Sequence, residues 1–218
     1  MSEPHYERRT REGYDVTAAG YAERFHDHLR DKPLDRAVLS GFAGLIRPDG
    51  LVVDLGCGTG ATSRILADYG VDVVGIDLSP NMIAEARRLN PDLEYRVGSM
   101  MRTDLPDGHA DGVCAWYSTI HIPDDQLPQV FSEFHRILRP GGHALLAFQV
   151  GDQPKVLTEA FSEEVDLTFH RRRPEAVERL LADAGLRPYA RLVRDADDDG
   201  LESTQQAYLI ASRACAER

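Results

Sequence analysis

Long hydrophobic runs are missing from this sequence of 218 residues. No apolar stretch approaches the roughly 20 residues that a helix needs to cross a bilayer. The opening, MSEPHYERRTREGYD, is polar and lacks the apolar core of a secretion signal. These absences point to a cytoplasmic chain without a membrane partner. Cysteine is also scarce. Cys57, Cys114 and Cys215 are odd in number, widely spaced and without a CxxC pair, so neither a disulfide framework nor a zinc site is expected. Positive charge is outweighed, with 25 lysines and arginines against 36 aspartates and glutamates and a formal net charge of -11. A nucleic-acid partner calls for a basic face that neutralises phosphates. The one dense basic run, Arg171 to Arg173, is too small for such a groove; it reads as a solvated approach to a helix or as an anion contact. An acidic chain also repels anionic lipid. No repeat and no Pro/Gly/Ser linker divides the sequence, so residues 1–218 are expected to form one domain with a sizeable core.

What is present is a change of period. Residues 1–47 read as helical: Tyr14, Ala18, Tyr21, Ala22 and Phe25 recur at spacings of three and four, and a second helix is expected from Leu34 to Ile46. From residue 48 short apolar runs alternate with helical stretches. Strands are predicted at Leu51–Gly56, Val71–Asp77, Leu93–Gly98, Asp111–Tyr117 and His143–Val150. Helices are predicted at Ala61–Tyr69, at Pro80–Leu89 with Ser79 as N-cap, and at Asp125–Leu138. Residues 151–218 add a helix at Pro174–Ala184 and two strands, Arg187–Arg194 and Gln205–Ser212, around the acidic turn Asp195–Gly200. Alternating apolar strands and helices imply a parallel sheet covered on both faces. The last two strands are joined too tightly for a parallel crossover and must pair antiparallel. The expected fold is α/β, a Rossmann-like three-layer sandwich with a mostly parallel seven-stranded sheet and an antiparallel C-terminal hairpin. Ligands of such sheets bind beyond the strand carboxyl ends.

The strongest local signal is VVDLGCGTGATS, Val52 to Ser63. A buried strand runs into Gly56, Gly58 and Gly60 and then into a helix. Glycines there allow a tight turn and close approach of a ligand to the main chain, and the helix start offers free N–H groups. Dinucleotide-binding folds use such turns too. Two carboxylates separate the readings. Asp54, at the strand end, would repel a pyrophosphate and suit a ligand carrying positive charge; the alternative is a turn or capping aspartate. Asp77 closes the neighbouring strand, where a carboxylate accepts hydrogen bonds from a ribose diol; the alternative is an aspartate that caps the helix ahead.

With these pieces in place, the sequence resembles the seven-stranded (class I) S-adenosylmethionine-dependent methyltransferases of the small-molecule type. The matching segments are VVDLGCGTG (Val52 to Gly60), VVGIDLSPNMIAEAR (Val73 to Arg87), LPDGHADGV (Leu105 to Val113) and FHRILRPGGHALLAF (Phe134 to Phe148). The resemblance implies S-adenosylmethionine (SAM) as cofactor, bound by residues 48–150, with 1–47 as a helical lid. It places Gly56, Cys57, Gly58 and Gly60 against the cofactor, Asp54 near its amino group, Asp77 on the ribose hydroxyls, and Leu78 and Met82 beside the adenine. Where the family carries an acidic residue after the third strand, this chain has GSMM, so Ser99 and the backbone N–H of Met100 take that place. YDVTAAGYAERF, Tyr14 to Phe25, resembles the family's lid, which brings Tyr14 and Tyr21 over the site; the plainer alternative is an aromatic stripe packed on the sheet.

Methyl transfer from a sulfonium is an in-line displacement, so positioning carries much of the rate. A base is needed only where the acceptor must lose a proton. AWYSTIHIP, Ala115 to Pro123, follows the fourth strand at the end of the sheet where the chemistry belongs. His121, Tyr117 and Tyr14 are the catalytic candidates, Tyr117 also a cofactor contact; the alternative for His121 is a loop histidine bonded to main chain. Trp116 reads as core. Gln149 and His170 are candidates to complete the pocket, and the acidic turn reads as solvated rather than metal-binding. The expected function is transfer of a methyl group from SAM to an oxygen or nitrogen of a small molecule. A nicotinamide-dependent oxidoreductase and a non-enzymatic SAM-binding protein are the alternatives. A nucleic-acid methyltransferase is disfavoured by charge and by the missing Pro-Pro motif. Neither the acceptor nor the oligomeric state is legible.

Overall fold

Five apolar runs become strands β1 (Leu51–Leu55), β2 (Asp72–Asp77), β3 (Glu94–Val97), β4 (Ala110–Trp116) and β5 (Leu138–Gln149) in the computed structural model, which describes residues 3–215. With β8 (Leu186–Arg194) and β9 (Gln206–Arg213) they form one seven-stranded sheet in the order β3-β2-β1-β4-β5-β9-β8. The first five strands are parallel, and β9 runs antiparallel to both β5 and β8. The chain moves outward in opposite directions from β1 and β4, so a crevice opens above their carboxyl ends.

Period-two alternation divides the strand side chains between two layers. Val53, Leu55, Val113 and Ala115 face α5 (Leu127–Ile137) and α6 (Pro174–Asp183), meeting Val130, Phe131, Phe134 and Leu181. Val52, Val73, Cys114 and Leu145 face α2 (Pro33–Ala43) and α3 (Ala61–Asp68), meeting Leu39, Phe42 and Leu66. Phe42, Phe131 and Phe134 are fully buried, each contributing roughly 1.5–3 kcal/mol through burial. Helix α4 (Pro80–Leu89) starts at Ser79, whose hydroxyl accepts the Met82 N–H at 3.0 Å as its cap.

Three departures from the sequence reading matter for the site. Strand β5 starts at Leu138, earlier than expected, because Leu138 pairs with Ala110 before a register shift. Helix α2 covers the sheet rather than acting as a lid, since Leu39 and Phe42 are anchored beneath it. The third is a separate two-stranded hairpin, β6 (Lys155–Ala160) and β7 (Glu163–Phe169), which the sequence reading missed. Val165, Leu167 and Phe169 carry the alternation of a half-buried strand. The turn, however, puts Phe161 and Ser162 at φ 53° and 64°, a geometry usually signalled by Asn-Gly or Asp-Gly.

Helix α1 (His5–Phe25) is fastened on two sides. The Asp15 carboxylate accepts the Ser79 hydroxyl at 2.6 Å and the Asn81 N–H at 3.2 Å, which ties α1 to the start of α4. Gly13 and Gly20 lie so near the hairpin that an added Cβ would stand 2.8 Å from Leu167 and 2.9 Å from Phe161. No helix among the described residues is long and apolar enough to cross a membrane.

Candidate active site

The bend after β1 is built from three left-handed glycines, Gly56, Gly58 and Gly60, at φ 74°, 53° and 81°. They face different surroundings. A side chain at Gly56 would collide with Ser118, and one at Gly60 with Tyr95 and Asn90. Gly58 faces open space, with the nearest atom, on the Tyr21 ring, 4.0 Å from where a Cβ would stand. Asp77, at the end of β2, holds the bend: its carboxylate accepts the Gly58 N–H and the Ser79 N–H, each at 2.8 Å. Burial raises its pKa, and these N–H donors oppose that rise.

The bend opens on a cavity at the carboxyl end of the sheet. Gly56, Gly58, Asp77, Leu78 and Met82 form one side, and Ser99 and Met100 after β3 form another. Tyr117, Ser118 and His121 come from the segment after β4, while Glu7, Tyr14 and Tyr21 close the cavity from α1. Glu7 accepts a hydrogen bond from Ser99. A second, larger cavity adjoins the first. Tyr14, Tyr21, Gly56, Gly58, Trp116 and Tyr117 wall both. The hairpin supplies much of the second wall through Leu157, Phe161, Leu167 and Phe169.

Three residues expected to contact the cofactor do not line the first cavity. Asp54 lines neither cavity. Alternation along β1 turns it toward α3, where its Oδ2 accepts the Ser63 hydroxyl at 2.6 Å and its Oδ1 has no partner. Gly60 packs against Tyr95 and Asn90, and Cys57 lines the second cavity rather than the first. Trp116 packs against the core beneath the sheet and also walls both cavities. Gln149 lines the second cavity with its Oε1 unpartnered, whereas His170 lines neither. The basic run is a clamp: the buried Arg172 guanidinium binds the Asp124 carboxylate at 2.8 Å and the Thr119 carbonyl at 3.1 Å, fixing the segment that carries His121. In the acidic turn, Asp197 and Asp199 hold the buried Lys32 ammonium at 2.5 and 2.6 Å.

Burial pushes the Asp54 carboxyl up to about 7 from its ordinary 3.8, with the Ser63 hydroxyl opposing. The neutral acid is therefore the form the fold favours. Its stabilisation is complete below pH 3.8 and is lost as pH rises through about 7. Asp54→Asn removes this titration, so the melting temperature of the variant should gain on the parent between pH 4 and about 8. A difference independent of pH would refute the assignment.

His121 and Tyr14 form the central polar contact. Tyr14 Oη lies 2.8 Å from His121 Nε2, and His121 Nδ1 lies 3.0 Å from the Thr168 carbonyl. A carbonyl only accepts, so Nδ1 carries the ring proton; Nε2 is then the acceptor and the Tyr14 hydroxyl donates to it. Burial lowers the His121 pKa to about 4, so the ring is neutral at pH 7. Tyr117 sits at φ 52°, a backbone state that costs a bulky residue about 1–3 kcal/mol and concentrates at functional sites. Its hydroxyl lies 3.3 Å from that of Tyr208, which donates to Asp35 at 2.8 Å and accepts from Arg194 Nε at 2.9 Å. Asp35 and Tyr208 carried no signal in the sequence, because they are 173 residues apart along the chain.

Residues 52–142 match the family model described as a methyltransferase domain. A demethylmenaquinone methyltransferase from Beutenbergia cavernae is 39% identical over 119 residues, 54% of this chain and 47% of that protein. A 2-methyl-6-phytyl-1,4-hydroquinone methyltransferase from Synechocystis is 39% identical over 105 residues, 46% of this chain and 32% of that protein. The matched stretch thus spans less than half the length of these relatives. Among solved structures, magnesium protoporphyrin IX methyltransferase from Synechocystis PCC 6803 with bound SAM gives a TM-score of 0.72 at 17% identity, covering 98% of this chain and 100% of that one. At that identity the likeness is one of fold.

Proposed function

We propose that this chain, whose residues 52–142 match a methyltransferase domain, is a seven-stranded SAM-dependent methyltransferase that moves the methyl group of SAM to an oxygen or nitrogen of a small molecule. The observation that carries the reading is the bend at Gly58, which presents bare backbone to a cavity that also holds the Asp77 carboxylate. A cationic nucleoside fits this cradle. Gly58 leaves room for it, Asp77 offers lone pairs to ribose hydroxyls, and Leu78, Met82, Ser99 and Met100 frame the place for a base. Asp54 belongs to this reading as a support of the bend through Ser63, not as a ligand contact. When bound, SAM supplies an electrophilic methyl group on a sulfonium.

The chain's own residues do the positioning. Helix α1 covers one side of the first cavity. Tyr14 and His121 orient one another at the boundary of the two cavities, and Tyr117 is held on the same boundary by Tyr208. A histidine with a pKa of about 4 is a poor proton acceptor at pH 7, so its work is to fix Tyr14. The second cavity gives room for an acceptor, which favours an enzyme over a protein that only binds SAM. The acidic net charge argues against nucleic acid and anionic membrane as partners.

Calorimetry with SAM and NAD in parallel tests the reading. SAM is expected to bind, and Asp77→Ala to weaken it about 10- to 100-fold, the loss of charge-assisted hydrogen bonds. Binding of NAD with no response to SAM would overturn it.

A further inference from the structure

The protons of two phenols at the boundary between the cavities can be accounted for one by one. Tyr14 donates to His121 Nε2, because Nδ1 of that ring is committed to the Thr168 carbonyl. Tyr208 spends its proton on the Asp35 carboxylate and accepts from Arg194 Nε. At the contact between the two phenols, Tyr117 must therefore be the donor. Both Tyr14 and Tyr117 thus commit their protons to protein partners, and both residues line the two cavities.

We propose that the larger cavity is the acceptor site and that it selects an amine with at least two N–H hydrogens, received by the oxygens of Tyr14 and Tyr117. A primary amine satisfies both oxygens and keeps a lone pair for attack. An alcohol or phenol has one hydrogen and leaves one oxygen unpaired. A carboxylate has none and is repelled by both. The surroundings agree in sign. Asp35 and Glu202 line this cavity against the single cation Arg194 that binds them, and Asp197 and Asp199 face Lys32 behind it. Lys155 and Glu159 of the hairpin offset one another at the wall. The rings of Tyr21, Phe25, Trp116 and Phe161 line the same cavity and offer faces that stabilise the positive charge as it moves onto nitrogen.

The acceptor enters as the neutral amine, its ammonium proton given up to solvent beforehand, so the transfer itself needs no enzyme base. The neutral amine nitrogen forms a bond to the methyl carbon. The carbon–sulfur bond breaks with its electron pair going to sulfur. The product leaves as an N-methylammonium ion beside S-adenosylhomocysteine. This rests on the methyltransferase reading above and goes beyond it by choosing nitrogen.

The test is calorimetry on the protein loaded with S-adenosylhomocysteine, using 2-phenylethylamine, its N,N-dimethyl derivative, 2-phenylethanol and the corresponding naphthylethyl compounds. Methylated product is followed by mass spectrometry when SAM is supplied. Primary amines should bind about tenfold more tightly than the alcohols and the dimethylamines, the effect of one hydrogen bond, and only amines should be methylated. Tyr208→Phe frees the Tyr117 proton and should bring the amine-to-alcohol ratio toward one. Should that variant fail to fold, Tyr117→Phe serves, lowering primary-amine affinity about tenfold while leaving the dimethylamine unchanged. Alcohols bound or methylated as well as the amines, or no amine bound by a protein that takes S-adenosylhomocysteine, overturns the proposal alone. A protein that does not take S-adenosylhomocysteine overturns the methyltransferase reading with it.

Discussion

Gly58→Val should abolish SAM binding, with affinity falling at least about 100-fold, or roughly 2.7 kcal/mol. Two effects add. The backbone at Gly58 is left-handed, φ 53°, a state that costs a β-branched residue about 1–3 kcal/mol. The added side chain also projects into the first cavity, where nothing stands within 4.0 Å of the new Cβ except the Tyr21 ring. The ligand and the valine would claim the same volume. Gly70→Val separates the two effects. Gly70 has φ 87°, open space around it and no place in either cavity, so its variant should lose stability yet bind SAM normally. Calorimetry and thermal melting of both variants check this. Retained binding in Gly58→Val would remove the cofactor from this cradle.

The second large effect is kinetic. His121→Ala should lower kcat about 100-fold, the scale on which a misplaced catalytic group costs rate, while SAM affinity changes little. The alanine removes the acceptor that fixes the Tyr14 hydroxyl and frees the Thr168 carbonyl. Equal losses in kcat and SAM affinity would make His121 a structural residue only. The pH dependence gives an independent sign. The folded pKa, about 4, lies below the ordinary 6.5, so the fold favours the neutral ring. That contribution to stability is whole above pH 6.5 and is lost as pH falls through about 4. Activity should be flat near neutrality and fall on the acid side as the ring takes a proton and stops accepting from Tyr14. His121→Ala should lose that acid sensitivity of the melting temperature. A wild-type activity limb centred near 6.5 would show a solvated histidine instead.

Much of the fold was legible because its signals are local. Apolar runs such as LVVDL and HALLAF are long enough to be strands and are punctuated by glycine and proline. The Ser79-Pro80 start of α4 and the antiparallel C-terminal pair follow from cap chemistry and loop length, and both are present. The hairpin β6–β7 was not legible, since Phe161 and Ser162 hold a turn that ordinarily needs glycine or asparagine. That omission hid the wall of the larger cavity.

The candidate site divides the same way. Gly56, Gly58, Asp77, Leu78, Met82, Ser99, Met100, Tyr14, Tyr21, Tyr117 and His121 were named from the glycine bend, the strand ends and the resemblance to the methyltransferases, and all line the first cavity. Asp54 was named for its charge at a strand end, but strand alternation turns it away from the cavity toward Ser63. Order along the chain carries the strand sequence, the glycine bend and the helix caps, because each depends on neighbours a few residues away. Which way a carboxylate points, which phenol gives its proton to which partner, and which cavity a hairpin walls depend on groups brought together by folding. His121 meets Tyr14 across 107 residues and Asp35 meets Tyr208 across 173; no local pattern encodes contacts that only the packing of separate layers creates.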